Sequence, residues 1–479
     1  MSTARLLMVQ GTSSNAGKSF LVAGLLRLLA RRGLRAAPFK AQNMARNAAV
    51  TASGGEIGRA QADQAFAAGT PSSVDMNPIL LKPEKGMMSQ VVVSGRMLGT
   101  MSYRDYAALK PELQPLILQA LGRLRAQYDF IVIEGAGSPA EINLSAHDIV
   151  NMFVARESGS PVLLVTDVDR GGAFASLYGT WALQDPADRE QIVGFVFNRL
   201  RGDANLLAEG YAALEAKTGV PVLGALPHLD DLGLPEEDSL GLERRQRLGR
   251  ASRSEIEITV IRTPFISNYD EFYHLERVLH QRYSEAPRDG IGTDLVILPG
   301  SKRTLDDLEW LRDSGWAEVL QERAKAHQPV LGICGGCQIL GRSIRAQGRT
   351  FQGLALLPID TEFTTLKQTE QVQTTLAIAH NASVQGYEIH RGHATRHDQA
   401  RPFATIASGD TTREDGALVG AVAGTMVHGL FTTARTVEGL VEWIRPGLDH
   451  ARAEPRSPYD RIADAIEQHL DLSTWLETR

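Results

Sequence analysis

The stretch RLLMVQGTSSNAGKS (5–19) runs from an apolar β-type segment into a glycine-rich loop that ends in Lys18 and Ser19. A loop of this kind, between a strand and a helix, turns its backbone N–H groups toward phosphate oxygens. Lys18 is expected to reach the terminal phosphates, and the Ser19 hydroxyl to bind magnesium. A glycine-rich turn that only caps a helix is the alternative. The flanking strand and helix and the Lys-Ser pair favour a phosphate site, with residues Gly11, Thr12, Asn15, Gly17, Lys18 and Ser19.

Outward from this loop, short apolar runs alternate with amphipathic helical patterns. Near-continuous Val/Ile/Leu strands separated by helices indicate a parallel sheet covered on both faces. The predicted strands are 5–10, 35–40, 130–135, 161–168, 192–198 and 221–227, and helices are predicted at 18–32 and 103–127.

A second α/β series follows the polar, basic stretch GLERRQRLGRASRSE (241–255). This stretch is interpreted as a linker and not as a nucleic-acid patch, because no aromatic side chains interleave with its charges. The fold class is therefore two doubly wound α/β domains, residues 1–250 and 251–479. The helical tail at 459–476 is expected to pack on the second domain. Strands of that domain are predicted at 255–262, 293–300, 329–335, 375–380 and 425–431.

Composition narrows the class of partner. The 50 basic and 56 acidic side chains give a net charge of −6, which offers no general attraction to nucleic acid or an anionic membrane. The N-terminus is interpreted as a buried strand and not as a signal peptide, and no apolar run is long enough to span a bilayer. Two cysteines in 479 residues do not form a disulfide framework. A cytoplasmic protein is expected, with no nucleic-acid or membrane partner; a homo-oligomer is left open.

The segment IVIEGAGSPAEINL (131–144) places Glu134 at the carboxyl end of a strand, where doubly wound sheets bind ligands. A carboxylate there can hold the Mg²⁺ that bridges the phosphates of ATP. The alternative is a glutamate that caps a helix or turn. Ser19 and Glu134 are the predicted metal ligands.

Polar clusters follow several of the predicted strands. Each alone is typical of a loop cap or a solvated turn, but together they indicate a large cleft for a bulky polycarboxylate small molecule. The predicted substrate residues are Lys40, Gln42, Asn43, Lys82 and Asp148.

The stretch LGICGGCQILG (331–341) contains both cysteines, Cys334 and Cys337. An apolar strand, a Gly-x-Cys-x-Gly turn and a helix make the arrangement that exposes a nucleophile, here Cys334. A helix N-terminus also stabilises a thiolate. A zinc site would need further ligands, and no other cysteine exists; a redox pair usually lacks the flanking glycines. Cys337 is expected to point into the packing.

A cysteine nucleophile needs a base, and TMVHGLF (425–431) supplies His428 at a predicted strand end. A lone histidine there is usually structural, but the cysteine turn favours a catalytic pair. GYEIHRG (386–392) adds Glu388 and His390. Backbone N–H groups near Gly300 and Gly335 could form an oxyanion hole for a tetrahedral intermediate.

These motifs resemble two families. The loop, one residue longer than Gly-x-x-x-x-Gly-Lys-Ser/Thr, is similar to that of dethiobiotin synthetase, a P-loop NTPase fold whose members activate carboxylates as acyl phosphates. Plasmid-partition ATPases share this fold but carry a signature lysine early in the loop. This chain has Thr12, Ser13 and Ser14 there, which counts against that class.

The cysteine and histidine motifs resemble class I (triad-type) glutamine amidotransferases, which have a flavodoxin-like fold. Their usual His-x-Glu pattern is His428-Gly429-Leu430 here, which is typical of amidotransferases fused to a dethiobiotin-synthetase-like domain.

Across nearly the whole chain, the order of motifs resembles the cobyric acid synthases, through GTSSNAGKS, PFKAQNM, MNPILLKP, IEGAGSPAEINL, DIVNM, GICGGCQILG, GYEIHRG and HGLF. The resemblance implies a glutamine-hydrolysing carbon–nitrogen ligase with L-glutamine, ATP and a corrinoid as its substrates. It implies amidation of the b, d, e and g carboxylates of adenosylcobyrinic acid a,c-diamide through an acyl phosphate. The ATP-binding amidoligase domain would be 1–250 and the glutamine amidotransferase domain 251–479. The alternatives are a cobyrinic acid a,c-diamide synthase, an amidotransferase-ligase acting on a cell-wall precursor, and a non-catalytic ATP-binding scaffold.

Overall fold

The computed structural model describes residues 4–45, 47–229, 232, 255–379, 381–398, 400–408, 411–448 and 456–476. It divides into two compact units. Unit 1 is Met1–Leu232 together with Arg456–Arg479, and unit 2 is Gly233–Pro455. Except for Glu255, the basic stretch 241–255 lies outside the described residues, so the domain boundary near 250 stays a prediction.

Each unit contains both strands and α-helices. The strands are β1 Arg5–Gly11, β2 Ala36–Phe39, β3 Gln42–Met44, β4 Ala48–Val50, β5 Glu56–Gly58, β6 Ile79–Pro83, β7 Met88–Val93, β8 Arg96–Ser102, β9 Phe130–Glu134, β10 Val162–Asp167, β11 Ile192–Leu200, β12 Val222–Pro227, β13 Glu257–Ile261, β14 Ile266–Ser267, β15 His280–Ser284, β16 Leu295–Leu298, β17 Gly300–Ser301, β18 Val330–Ile333, β19 Ser343–Ala346, β20 Arg349–Gln352, β21 Ile359–Leu376, β22 Ala382–Arg396, β23 Ala404–Ser408, β24 Thr411–Asp415, β25 Ala417–Val419 and β26 Val422–Thr425. The α-helices are α1 Lys18–Arg31, α2 Arg59–Ala67, α3 Tyr103–Gln127, α4 Met152–Ser158, α5 Ala173–Ala182, α6 Pro186–Gln191, α7 Ala208–Thr218, α8 Tyr273–Val278, α9 Thr304–Ser314, α10 Trp316–Lys325, α11 Gly335–Leu340, α12 Ala434–Ile444, α13 Pro458–His469 and α14 Ser473–Leu476.

The central sheet of unit 1 has the order β12-β11-β10-β1-β9-β2, and all of its strands are parallel. The six strands predicted in this half of the chain are confirmed. Their apolar runs are continuous because helices cover both faces of the sheet. The strand order reverses at β1, and the register pairs Val9 with Glu134 and Gly11 with Val165. The phosphate loop and Glu134 therefore leave the same edge of the sheet at its switch point, where this fold binds ligands.

Two further pieces of unit 1 were not predicted as strands. A four-stranded sheet has the order β3-β6-β7-β8, and β4 and β5 form a separate antiparallel pair. Three of these strands are only three residues long, and strands such as β3 and β5 carry polar residues among the apolar ones. Short, half-polar strands give little periodicity, which is why the sequence pattern missed them.

The tail helices belong to unit 1, so the prediction that the tail packs on the second domain is wrong. Helix α13 lies along α1, with Arg27 Nε 2.7 Å from Asp460 Oδ1. A Cβ at Gly24 would collide with Ile462 and Ile466, both of which are buried. The apolar stripe of α13 thus covers a face of α1. Periodicity shows that a helix has such a stripe, but not which surface it covers.

The central sheet of unit 2 has the order β15-β13-β16-β18-β26-β25 and is parallel except for β25. The predictions at 255–262, 293–300 and 329–335 are confirmed as β13, β16 and β18. The strand predicted at 425–431 ends at Thr425, so His428 lies beyond its carboxyl end. The run 375–380 is not a strand of its own, since β21 ends at Leu376. Its first two residues end β21, which belongs to an additional sheet, β20-β19-β21-β23-β24 with β22 paired to β21.

Adjacent strands of this sheet bring three segments together. Leu298 pairs with Gly332, and Ile333 pairs with Thr425. The residues that follow β16, β18 and β26 therefore meet at one edge, and these are the Gly300 turn, Cys334 and His428. Among the described residues, no helix has the length and apolar character that crossing a bilayer requires.

Candidate active sites

Cys334 occupies a sharp turn between β18 and α11, with φ +50° and ψ −107°. A non-glycine residue in this conformation costs of the order of 1–3 kcal/mol and is typical of a nucleophile held at a strand-to-helix turn. The turn is close to the next strand: a Cβ at Gly336 would collide with the Leu298 carbonyl oxygen. The Cys334 N–H donates to the Thr425 oxygen at 2.7 Å, which ties the turn to β26.

His428 lies against Cys334, to which it is hydrogen-bonded, and against a carboxylate that the sequence pattern did not identify. Its Nδ1 is 2.8 Å from Glu271 Oε1, and the Gly429 N–H donates to Glu271 Oε2 at 3.0 Å. Glu271 belongs to a short 3-10 turn, Tyr269–Phe272, and all three groups are buried. The one available signal was NYDEF (268–272), where two adjacent acids stand between aromatic residues.

Neighbouring charges determine the direction in which the pKa values of Cys334 and His428 shift. Burial alone would raise the pKa of the Cys334 thiol, but the neighbouring His428, and His390 more weakly, outweigh burial and lower it. Burial would likewise lower the pKa of His428, yet Glu271 and Cys334 raise it to about 10. A thiolate beside an imidazolium is the nucleophilic form of such a pair.

Cys337 is in a different environment. Its side chain is fully buried, and a Cβ at Gly424 would lie 2.8 Å from its sulfur. Burial, with Asp415 nearby, raises the pKa of the Cys337 thiol well above its usual value. Both cysteines are free thiols. A neutral thiol packed against β26 is a core group, as the sequence predicted.

The predicted pair Glu388 and His390 lies beside this site. Tyr387, which precedes them on β22, stacks on the His428 ring with centroids 5.2 Å apart and planes 16° apart. His390 Nε2 is 3.5 Å from Glu388 Oε1, and Arg413 and Gln368 both donate to Glu388 Oε2. Burial lowers the pKa of His390, but Glu388 and the Cys334 thiolate raise it overall. A role in binding glutamine stays a prediction.

The two glycines expected near an oxyanion hole are both tightly enclosed. A Cβ at Gly300 would lie 2.9 Å from His428 Cε1, and one at Gly335 would lie 2.8 Å from the Ser301 nitrogen. Larger residues would displace the histidine or the cysteine turn. Gly335 opens α11, where backbone N–H groups have no partner within the helix. The structure therefore brings these residues to Cys334, while their oxyanion role stays a prediction.

In unit 1, the phosphate loop is folded around its own lysine. Lys18 Nζ donates to the Ser13 oxygen at 2.9 Å and to the Gly137 oxygen at 3.0 Å. Thr12 Oγ1 is 3.1 Å from Thr166 Oγ1, and Asn15 has a positive φ of +60°. Gly17 has φ +107°, and a Cβ there would collide with the Asn198 side chain. The loop can therefore keep this shape only with glycine at position 17.

Glu134 is fully buried at the end of β9, and three side chains donate to it. Ser19 Oγ is 2.8 Å and Lys40 Nζ 2.9 Å from its Oε1, and Gln64 Nε2 donates to its Oε2. Burial raises the pKa of this carboxyl, but Lys40 and the hydrogen bonds lower it overall, so Glu134 is ionised. A carboxylate and a hydroxyl 2.8 Å apart are hard oxygen donors of the kind that Mg²⁺ prefers. Gln64, one turn after Gln61 on α2, is a further residue that the sequence pattern missed.

Each of the five predicted substrate residues has a partner within unit 1. Lys40 meets Glu134, Lys82 pairs with Glu56, Asn43 donates to Gln61 at 2.9 Å, and Gln42 accepts from Tyr106. The carboxylate of Asp148 accepts from the backbone N–H groups of Val150, Asn151 and Phe153. Lys40 shares its partner Glu134 with Ser19 of the phosphate loop. Contact with the substrate stays a prediction for all five.

Comparison with known proteins agrees with both halves of this arrangement. Residues 7–240 match the CobQ/CobB/MinD/ParA nucleotide binding domain, and residues 257–436 match the CobB/CobQ-like glutamine amidotransferase domain. The cobyric acid synthase of Desulforudis audaxviator is 50% identical, over 98% of this chain and 98% of its own length. That of Sorangium cellulosum is 47% identical over 98% and 97% of the two chains, and that of Methylorubrum populi 46% identical over 98% and 97%. The chain belongs to the cobyric acid synthase family.

Proposed function

We propose that the chain amidates corrinoid carboxylates with ammonia that it releases from L-glutamine, and that ATP activates each carboxylate as an acyl phosphate. Membership of the cobyric acid synthase family makes the overall activity an amidation in cobalamin biosynthesis. The proposed acceptors are the b, d, e and g carboxylates of adenosylcobyrinic acid a,c-diamide. The observation that carries the proposal is the buried Cys334–His428 pair in unit 2, together with a phosphate loop in unit 1.

In the glutaminase half-reaction, the Cys334 thiolate attacks the amide carbon of glutamine. The negative charge on the resulting tetrahedral oxygen is stabilised by backbone N–H groups near Gly300 and Gly335. His428 gives its proton to the departing ammonia, and a thioester remains. His428 then removes a proton from the water that hydrolyses the thioester to glutamate. The Cys334–His428 hydrogen bond and the lowered pKa of Cys334 support this assignment.

In the ligase half-reaction, Lys18 and the loop N–H groups hold the phosphates of ATP while the γ-phosphoryl group moves to a substrate carboxylate. Ser19 and Glu134 would hold Mg²⁺, which would supply positive charge to offset that of the phosphates. Lys18 must exchange its bonds to the Ser13 and Gly137 oxygens for phosphate oxygens. Ammonia then attacks the acyl carbon, the amide forms and phosphate leaves.

Two variants test the division of labour, with ATP, Mg²⁺, the a,c-diamide and either glutamine or ammonia as nitrogen source. Cys334→Ala should lose glutamine-dependent amidation and keep amidation with high free ammonia. Lys18→Ala should lose both. Amides are counted by mass spectrometry, and four additions are expected for the proposed set of carboxylates.

Other outcomes would refute particular parts of the proposal. Loss of both activities in folded Cys334→Ala would contradict separate sites for the two half-reactions. Full turnover by Lys18→Ala would exclude the phosphate loop as the ATP site. Turnover of cobyrinic acid, whose a and c carboxylates are free, in place of the a,c-diamide would indicate a cobyrinic acid a,c-diamide synthase. If Cys334 resisted a glutamine-analogue electrophile, the chain would be a non-catalytic nucleotide-binding scaffold.

A further inference from the structure

Glutamine amidotransferases of the triad type hold their histidine with a glutamate two positions later, but this chain has Leu430 there, and its side chain is fully buried. We propose that Glu271, 157 residues earlier in the chain, is the positioning residue that fixes the orientation and tautomer of His428. This inference rests on the proposed glutaminase reaction, because the orientation has a role only if His428 moves protons.

The contact between the two residues is bidentate. One carboxylate oxygen accepts from His428 Nδ1 at 2.8 Å, and the other accepts from the Gly429 N–H at 3.0 Å. The carboxylate therefore binds both the ring and the backbone that carries it. With the Nδ1 proton committed to Glu271, Nε2 is the nitrogen left to exchange protons with Cys334.

The backbone around Glu271 serves this contact. Asn268, between β14 and the 3-10 turn, is in the left-handed region with φ +54°. Strand β14 pairs with the Gly300 segment, and Ser267 is aligned with Gly300. Asn268 Nδ2 lies 3.4 Å from His428 Nε2, on the opposite edge of the ring from Glu271. One short segment thus contacts both ring nitrogens, while Tyr387 covers a face of the ring.

Glu388 is a second carboxylate beside this site, but it is not placed to do the same. Glu388 lies on the neighbouring strand β22, but both of its oxygens are used by His390, Arg413 and Gln368. The titratable groups that interact with the Cys334–His428 pair include Glu271 from the 3-10 turn, His390 from β22 and Cys337 from α11, and Tyr387 of β22 stacks on His428. Repulsion between Glu271 and the thiolate is the smallest of the effects on the Cys334 pKa, so its main action passes through His428.

Glutamine at position 271 would have nearly the same size as glutamate, but it could not hold His428 in the tautomer that the reaction needs. Its amide has one acceptor oxygen for two N–H groups, those of Gly429 and His428 Nδ1. If the amide oxygen serves Gly429, its NH₂ group faces Nδ1, and the ring must carry its proton on Nε2. That tautomer cannot take a proton from Cys334 or from water, and without the carboxylate the imidazolium is also less stable.

The test uses the full-length protein with Glu271→Gln, Glu271→Asp and Glu276→Gln. Glu276 is a partly exposed acid on the following helix, where it lies 3.5 Å from Gln281, and its variant serves as the matched control. Glu271→Gln should lower kcat for glutamine hydrolysis by ~10²–10⁴-fold with KM little changed. Glu271→Asp should recover part of kcat, and Glu276→Gln should match the unmodified protein. Amidation with free ammonia should persist in all three.

The second readout is the pH profile of Cys334 alkylation by iodoacetamide, followed by mass spectrometry with buried Cys337 as internal reference. The midpoint should move to higher pH in Glu271→Gln and stay in place in Glu276→Gln, because only the former loses the charge that favours the thiolate–imidazolium pair. Unchanged kcat and midpoint in Glu271→Gln would overturn the inference. If Glu271→Gln fails to fold, Glu271→Asp carries the test, because its shorter side chain draws the carboxylate away from His428. A kcat and a midpoint equal to those of the unmodified protein in Glu271→Asp would then overturn the inference. Glutamine hydrolysis that survives Cys334→Ala would instead refute the proposed function.

Discussion

The buried ion pair between Lys40 and Glu134 makes a quantitative prediction. The two side chains are 2% and 0% exposed, and their charged atoms are 2.9 Å apart. At an effective dielectric constant of 20, this distance corresponds to a gross attraction of about 6 kcal/mol, much of which offsets the cost of dehydrating both groups. Glu134→Gln or Lys40→Met alone leaves a buried charge facing a neutral group, which should cost about 3–5 kcal/mol of the stability of unit 1.

The double variant removes both charges at once. Its cost should be far less than the sum of the two single costs, with a coupling energy of at least about 2 kcal/mol. Hydrogen exchange of peptides from β1, β9 and α1 measures the opening free energy within unit 1 and is not confused by unfolding of unit 2. Additive single costs, within about 0.5 kcal/mol, would refute the ion pair. Titration with Mg²⁺ and ATP should show lost affinity in both variants that lack Glu134.

Three further predictions concern packing. Cys337→Ala should keep glutamine hydrolysis within about twofold, and it should cost about 1 kcal/mol for the lost sulfur in urea unfolding; an inactive but folded variant would revive the redox-pair interpretation. Gly24→Ala should lower the stability of unit 1 by about 1–3 kcal/mol, because the added carbon meets Ile462. The control Gly122→Ala, with open space around it, should raise that stability by up to about 1 kcal/mol. Equal effects of the two changes by hydrogen exchange would contradict the packing of α13 on α1. Gly17→Ala should abolish ATP binding by calorimetry while unit 2 still hydrolyses glutamine, and normal affinity would contradict the strained loop.

The sequence predicts those parts of the molecule whose physics is local. Continuous apolar strands identify both parallel sheets, because such strands are buried on both faces. The phosphate loop and the cysteine turn are contiguous motifs, and Lys18, Ser19 and Cys334 are found where the pattern places them. Strands β21 and β22 were missed because several of their buried positions carry polar residues, such as Thr361, Thr374 and Glu388, so apolar residues do not alternate regularly.

Contacts between segments that are distant in the chain cannot be predicted from a single sequence. Glu271 meets His428 because β14 pairs with the Gly300 segment, and no spacing rule encodes that pairing. In the same way, the pattern around Lys40 indicates a polar loop, but only the parallel register of β2 with β9 brings it to Glu134. Site residues fixed by sheet topology therefore need the fold before they can be assigned.

Because the tail helix α13 belongs to unit 1, that unit cannot finish folding until the end of the chain has been translated. Residues 233–455 are translated between the two parts of unit 1, which takes roughly 10–45 s at 5–20 residues per second. During that interval the surface of α1 around Gly24 has no α13 to cover it, and the sequence of unit 2 is complete before α13 is made. A fragment that stops at the predicted boundary near 250 would keep that surface bare permanently. Separate expression of the ligase half should therefore include residues 456–476, joined to its other end as a circular permutant or supplied as a peptide.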